Sequence, residues 1–119
     1  MASVLVAEDE FLIRSVLADA LGEMGMTCIE APTGQVALDI VTGSTALAAI
    51  IVDIGLPDIS GEKVIEAAVA HRPGTPVIRC SGASDTAPVA GQKIHVFPKP
   101  YSAIELSKFV ASLISQSRP

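Results

Sequence analysis

Residues 46–53 read ALAAIIVD, seven apolar residues closed by an acid. A strand with one wet face alternates apolar and polar residues. A run with no polar member is instead covered on both faces, as in the middle of a parallel sheet flanked by helices. The acid that ends it then stands at the sheet edge. The chain opens the same way, with Val4, Leu5, Val6 and Ala7 stopping at Glu8, Asp9 and Glu10. Adjacent carboxylates repel one another, and a carboxylate at the mouth of a buried strand loses solvation, so both endings ask what the acids hold.

Working outward from these runs, strand-like and helix-like stretches alternate. Val4–Ala7 predicts a first strand. Phe11–Met24 predicts a helix with Ile13, Val16, Leu17, Ala20, Leu21 and Met24 on one face, ended by Gly25. Thr27–Ala31 predicts a second strand, and Thr33 caps a helix through Val36, Ala37, Ile40 and Val41 to Gly43. After the third strand at 46–53, a helix from Gly61 to His71 is stopped by Pro73 and Gly74. Pro76–Cys80 and Lys93–Phe97 predict strands four and five, and a closing helix carries Ile104, Leu106, Phe109, Val110, Leu113 and Ile114. Five such units imply an α/β fold. The expected form is a flavodoxin-like, doubly wound, five-stranded parallel sheet with strand order 2-1-3-4-5.

Composition sets the outer limits. The chain has 119 residues, half of them apolar, which is enough for one domain with a proper core, expected to span residues 1–119. Its aromatic residues are Phe11, Phe97, Phe109 and Tyr101, so Val, Ile, Leu and Ala must fill the core. The net charge is −5 and the eight Lys and Arg form no run, which disfavours nucleic acid. No apolar stretch approaches the roughly 20 residues that cross a bilayer, and no secretory signal opens the chain, so a cytoplasmic protein that does not bind membrane is expected. Cys28 and Cys80 are expected as reduced core thiols. His71 and His95 have no acid or Cys at ligand spacing and read as surface or edge residues.

In a 2-1-3-4-5 sheet, ligands bind beyond the carboxyl ends of the strands, near the switch point between strands one and three. Glu8 and Asp9 end strand one, Asp53 ends strand three, Ser81 follows strand four and Lys99 follows strand five. All five polar groups therefore converge on one edge. Two acids from one loop and one from a neighbouring strand end make a hard, oxygen-rich pocket suited to Mg²⁺ with several waters retained, which offsets the repulsion of the bare acids. Glu10 is set aside, because the helix beginning after it offers its carboxylate a positive N-terminal dipole.

The stretches AEDE, DIGLPDISG from Asp53 to Gly61, CSG around Ser81 and PKP around Lys99 resemble, in order and over essentially the whole chain, the receiver domain of two-component response regulators. The resemblance implies a receiver accepting a phosphoryl group onto Asp53 from a phosphohistidine of a histidine kinase or phosphotransfer protein. Mg²⁺ would be ligated by Asp9, Asp53 and the backbone carbonyl of Gly55, with Glu8 reaching it largely through water. Lys99 and Ser81 would meet the phosphoryl oxygens, and the Lys99–Pro100 peptide would be cis. It further implies a self-phosphorylating, slowly self-dephosphorylating signalling domain rather than an enzyme. Phosphoryl transfer asks for these residue types in any case: an in-line nucleophile and cations that neutralise the equatorial oxygens.

Departures from the family pattern sharpen the expectation. The position three before the active-site Lys, commonly aromatic, is Val96, and strand alternation puts Phe97 on the other face. The segment GASDTAPVAGQ between strands four and five is poor in helix formers, so the helix there is expected to be short or absent. Thinner cover of strand four would then explain how Arg79 is tolerated in it. Gly55 and Ala83, each two residues beyond a site residue, are small, so a phosphoaspartate without strong shielding from water is expected. Pro98 requires strand five to be an edge strand.

The chain ends soon after its last helix, so a single-domain regulator is expected, with a receiver cut from a hybrid kinase or multidomain regulator as the alternative. It would signal to a downstream protein target or pass phosphate onward. The expected partner surface, also open to homodimerisation, is strand five with the last helix, near Lys93, Tyr101, Glu105 and Lys108. Two other classes compete. A flavodoxin-type electron carrier needs a loop after strand one rich in Ser, Thr and Gly, where acids would repel FMN phosphate. An aspartate-nucleophile phosphatase-like enzyme lacks, at Gly55, a side chain for general acid catalysis.

Overall fold

A computed structural model describes residues 2–81 and 94–117. Among them are β1 (Ser3–Ala7), α1 (Phe11–Glu23), β2 (Thr27–Ala31), α2 (Gly34–Thr42), β3 (Ala49–Asp53), α3 (Gly61–His71), β4 (Val77–Ser81), β5 (Ile94–Pro98) and α4 (Ala103–Ser117). The five strands form one sheet in the order β2-β1-β3-β4-β5, every neighbouring pair parallel. This is the expected flavodoxin-like arrangement. The expectation of a short or absent helix between β4 and β5 falls on residues 82–93, outside the described residues, as do Ala83 and Lys93.

Strand alternation divides the core in two. Val4, Val6, Ile51, Ile78 and Cys80 face one way and pack on Leu17 and Leu21 of α1 and Leu106 and Val110 of α4. Leu5, Ile50, Val52 and Val77 face the other way, onto Ala37 and Val41 of α2 and Val64, Ile65 and Ala68 of α3. β3 is buried at all five positions, as its unbroken apolar run requires. Among the described residues, no helix is long and apolar enough to cross a membrane. Both cysteines are free thiols, Cys80 buried and Cys28 half-buried.

Two sequence expectations are corrected. The apolar stripe on α1 is wider than the surface that covers it: Leu17, Ala20 and Leu21 are buried, whereas Val16 and Met24 stay 58% and 43% exposed. Phe11 and Leu12 are also exposed, so the outer side of α1 near the acids is itself apolar. Arg79 does not depend on thin cover. It is 4% exposed, and an ion pair with Glu62 on α3 meets its charge.

The helix ends show how distant segments finish local structure. Thr33 caps α2 by accepting from the Val36 amide. Asp58, from the loop between β3 and α3, accepts from the Gly34 and Gln35 amides at 2.7 and 2.9 Å. At the other end of α2, Arg72 donates to the carbonyls of Ile40, Val41, Gly43 and Thr45. An anion at the N-terminus and a cation at the C-terminus both complement the helix dipole. Ser102 and Glu105 begin α4 in the spacing of a capping box, the Ser102 hydroxyl accepting from the Glu105 amide.

Candidate functional site

The parallel sheet delivers the ends of β1 and β3 to the same edge, and the acids follow. The Glu8 amide donates to the Ala31 carbonyl, extending the β1–β2 ladder by one residue and fixing where its side chain begins. That side chain is almost fully buried. Its Oε2 accepts from the Glu10 amide at 3.0 Å, and its Oε1 is buried with no hydrogen-bond partner among the described residues. Asp53 is 5% exposed at the end of β3, while Asp9 is exposed. One carboxylate oxygen from each of the three lies within 4.8 Å of the others.

Lys99 supplies the counter-charge. Its Nζ donates to Asp53 Oδ1 at 2.6 Å, and its backbone amide donates to the Ser81 carbonyl, tying the turn after β5 to the end of β4. The Lys99–Pro100 peptide is cis. Partial burial pulls the Lys99 ammonium down, but the hydrogen bond and charge of Asp53, with the charge of Glu8, outweigh it and leave the pKa above its ordinary value. The Gly55 amide also donates to Asp53 Oδ1, at 3.3 Å. Gly55 is exposed, and a Cβ added there would meet open space.

Gly61 is the residue that most tightly fixes the loop under Asp53. A Cβ there would lie 2.5 Å from the Asp53 carbonyl oxygen and 2.7 Å from Ile54 Cα. Both are backbone atoms that cannot step aside. Absence of a side chain lets α3 start directly against the residue that carries the site carboxylate.

Ser81 stands at the adjoining strand end, but its hydroxyl is engaged on the sheet's α3 side, accepting from Arg79 Nη1 at 3.2 Å. Val96 is 42% exposed and stands in register with Arg79 across β4 and β5. Phe97 faces the other core, with ring centroids 5.6 Å from Phe109 and 6.3 Å from Tyr101. His71 is exposed in the last turn of α3, and His95 lies half-buried on the edge strand with its ring edge-on to Phe109. The structure thus brings Glu8, Asp9, Asp53 and Lys99 together, with Gly55 beside them and Ser81 one strand away.

Local sequence pattern gives little sign of three braces around this site. Arg14 donates to the Glu8 carbonyl at 2.8 Å and pairs with Glu30 of β2 at 2.9 Å. Asp58 moors the loop that follows Asp53 to α2. Arg79 joins Ser81 to Glu62. Only the last leaves a trace in the sequence, because an arginine within a buried strand implies a carboxylate opposite it.

The arrangement fits a hard divalent cation. All donors are carboxylate oxygens, and among the described residues one of them is buried without a hydrogen-bond partner and a single ammonium, that of Lys99, meets three carboxylates. The strain is visible in Glu8. Burial pushes its carboxyl up to about 6; the Glu10 amide pulls it back, and the Asp53 charge adds to the rise. A carboxyl whose folded pKa exceeds its unfolded one makes ionisation costly to the fold. That cost is full above about pH 6 and fades as pH falls toward the ordinary carboxylate range. In chelator, Glu8→Gln is therefore expected to be more stable than the native chain at pH 7 by on the order of 1–2 kcal/mol. The difference should shrink at pH 5, as read by urea unfolding. Equal stability at pH 7 would show that Glu8 carries no desolvated charge.

Comparison with known proteins bears on the family and the fold. The family model for the response regulator receiver domain matches residues 4–110. Among solved structures, the chain is similar to the receiver domain of the hybrid histidine kinase CckA, with 27% identity and a TM-score of 0.80 over 95% of this chain and 99% of that one. It is similar to a response regulator receiver domain protein from Clostridium thermocellum, with 25% identity and a TM-score of 0.84 over 98% and 96% of the two chains. The receiver domain of the Francisella response regulator 1452 shares the fold at 24% identity and a TM-score of 0.85, over 99% of this chain and 100% of that one. Among curated proteins the chain has no match.

Proposed function

The chain belongs to the response regulator receiver domain family, and on that footing we propose that Asp53 accepts a phosphoryl group from a phosphohistidine of a partner histidine kinase or phosphotransfer protein, in a Mg²⁺-dependent reaction. The observation that carries the reading is the buried Asp53 carboxylate, held by Lys99 at 2.6 Å and sharing a corner with Glu8 and Asp9.

The step has a simple balance. An Asp53 carboxylate oxygen forms a new O–P bond as the P–N bond to the donor imidazole breaks; the electron pair leaves with the nitrogen, which takes a proton. Both described bonds to Asp53 go to Oδ1, so Oδ2 is the oxygen assigned to attack. Lys99 holds the carboxylate in place and offers its ammonium to the phosphoryl oxygens as charge develops on them. Glu8, Asp9, Asp53 and the Gly55 carbonyl are the groups that would hold Mg²⁺, which when bound supplies charge neutralisation at those oxygens. Ser81 donates its hydroxyl to a phosphoryl oxygen once one is present. The open space at Gly55 leaves water a path to the acyl phosphate, so the adduct reverts by hydrolysis.

In this reading the protein is a switch rather than an enzyme acting on a diffusible substrate. It works in the cytoplasm beside its kinase and reports through protein contacts. Exposed Val96 and Ile104, with Glu105 and Lys108 on α4, form the surface we assign to the downstream partner. The similarity to a receiver from a hybrid kinase supports a second setting for the same chemistry, a receiver within a larger regulator.

The test is incubation with a small acyl phosphate and Mg²⁺, followed by intact mass measurement. A gain of one phosphoryl group that chelator prevents is the expected result. No gain under any donor or metal condition overturns the reading.

A further inference from the structure

We propose that Arg79 is a positioning residue that latches the Ser81 hydroxyl in the unphosphorylated arrangement and links it to α3. The inference rests on the reading of Asp53 as phosphoacceptor. Arg79 lies inside β4, in register with Val52 of β3 and Val96 of β5, and is nearly fully buried. A buried guanidinium is tolerated only where its charge and its N–H groups are met. Glu62, in the first turn of α3, takes two of them, with Nη2 to Oε2 at 2.8 Å and Nε to Oε1 at 3.3 Å. Residues two apart on a strand share a face, and Nη1 reaches along that face to Ser81 Oγ at 3.2 Å.

A guanidinium only donates, so Ser81 is held here as an acceptor. Turning Ser81 toward a phosphoryl group on Asp53 requires a different side-chain rotamer, and the bond to Arg79 is given up. The contact therefore exists in one arrangement and not in the other, which is the condition for biasing a two-state equilibrium. Glu62 keeps the latch stiff by fixing the guanidinium plane, and its side chain is 49% exposed, so the far end of the link lies at the surface of α3. Val96, opposite Arg79, brings no polar group to compete. Release of Ser81 thus changes the partners of a residue anchored on α3, which gives the switch a route to the α3 surface.

The experiment is a calorimetric titration with beryllofluoride, a phosphoryl analogue, in excess Mg²⁺, on the native chain, Arg79→Met, Ser81→Ala and the double variant. Arg79→Met is expected to bind roughly 5- to 10-fold more tightly than the native chain, with no such gain in the Ser81→Ala background. Arg79→Lys, which keeps the buried charge and a donor, should return toward native affinity. If the Met variant does not fold, Arg79→Gln, uncharged and too short to hold both Glu62 and Ser81, replaces it in the cycle with the same expected gain. An unchanged or weakened affinity in Arg79→Met overturns the latch. So does an equal gain with and without Ser81, which would mark Arg79 as structural only. Failure of the native chain both to bind beryllofluoride and to take up a phosphoryl group overturns the underlying reading instead.

Discussion

An Asp53→Asn variant is expected to gain no phosphoryl mass from an acyl phosphate under conditions that fully modify the native chain. The amide has the carboxylate's shape but not its nucleophilicity, and among the described residues the other acids of the site are poorly placed to replace it. Glu8 has one oxygen on the Glu10 amide and the other buried, and Asp9 is exposed rather than held against Lys99. The same substitution removes one of three crowded charges, which relieves the repulsion that helps raise the Glu8 carboxyl. Lys99 loses its partner but, being a third exposed, can turn to water. In chelator the variant should therefore melt no lower than the native chain. Mg²⁺ is expected to bind the folded native chain and raise its melting temperature by mass action, and to raise that of the variant far less. Phosphorylation that persists in Asp53→Asn would move the acceptor elsewhere. A variant that fails to fold would show Asp53 to be a structural acid.

What the sequence reveals about this molecule, and what it conceals, follows from range. The run ALAAIIVD needs no neighbours to be read, because a strand with no polar residue must be covered twice, and β3 is buried throughout. Strand order then carries Glu8, Asp53 and Lys99 to one edge without any knowledge of side chains. The α1 stripe is less legible. Periodicity marks which residues are apolar, not how much surface the rest of the fold has to cover them, so Val16 and Met24 remain outside. Least legible are bonds across long separations. Asp58 reaches 24 residues back to the start of α2, and Arg72 reaches 31 residues back to the Val41 carbonyl near its end. Such contacts exist only after α2 and α3 have packed together, so no local window holds both partners. Arg79 lies between these cases, since a buried charge in a strand announces that a partner exists without saying that it is Glu62.

Lys99→Ala is expected to slow phosphorylation of Asp53 by about 100-fold or more, the scale of removing one preorganised group that meets developing negative charge. The ammonium has two roles at this site, and the variant separates them. Its first is structural: at 2.6 Å from Asp53 Oδ1 it compensates a carboxylate that is itself almost fully buried. Without it, the metal-free protein should lose about 1–3 kcal/mol, the lower end reflecting that Lys99 is partly exposed and its pair partly screened. Its second role, under the proposed phosphoryl transfer, is chemical: the same charge would face oxygens that become more negative as the phosphoryl group arrives. Mg²⁺ can take over the first role, since removing a competing cation leaves Glu8, Asp9 and Asp53 more negative and should tighten metal binding. Saturating Mg²⁺ is therefore expected to restore the melting temperature of Lys99→Ala to near that of the native chain while leaving its phosphorylation slow. The Lys99 pKa is raised from its ordinary value, so the ammonium itself stays charged across the neutral range. Because its charge also holds the Glu8 carboxyl down, the rate defect should be constant from pH 7 to 8 and deepen toward pH 6, where Glu8 of the variant takes up a proton more readily. Lys99→Arg keeps the charge but spreads it over a planar fork that does not match the single contact at Oδ1, so stability should recover more than rate. If Lys99→Ala instead phosphorylates within a few-fold of the native rate once Mg²⁺ has restored its stability, the ammonium is a brace for Asp53 and the charge that drives transfer comes from elsewhere.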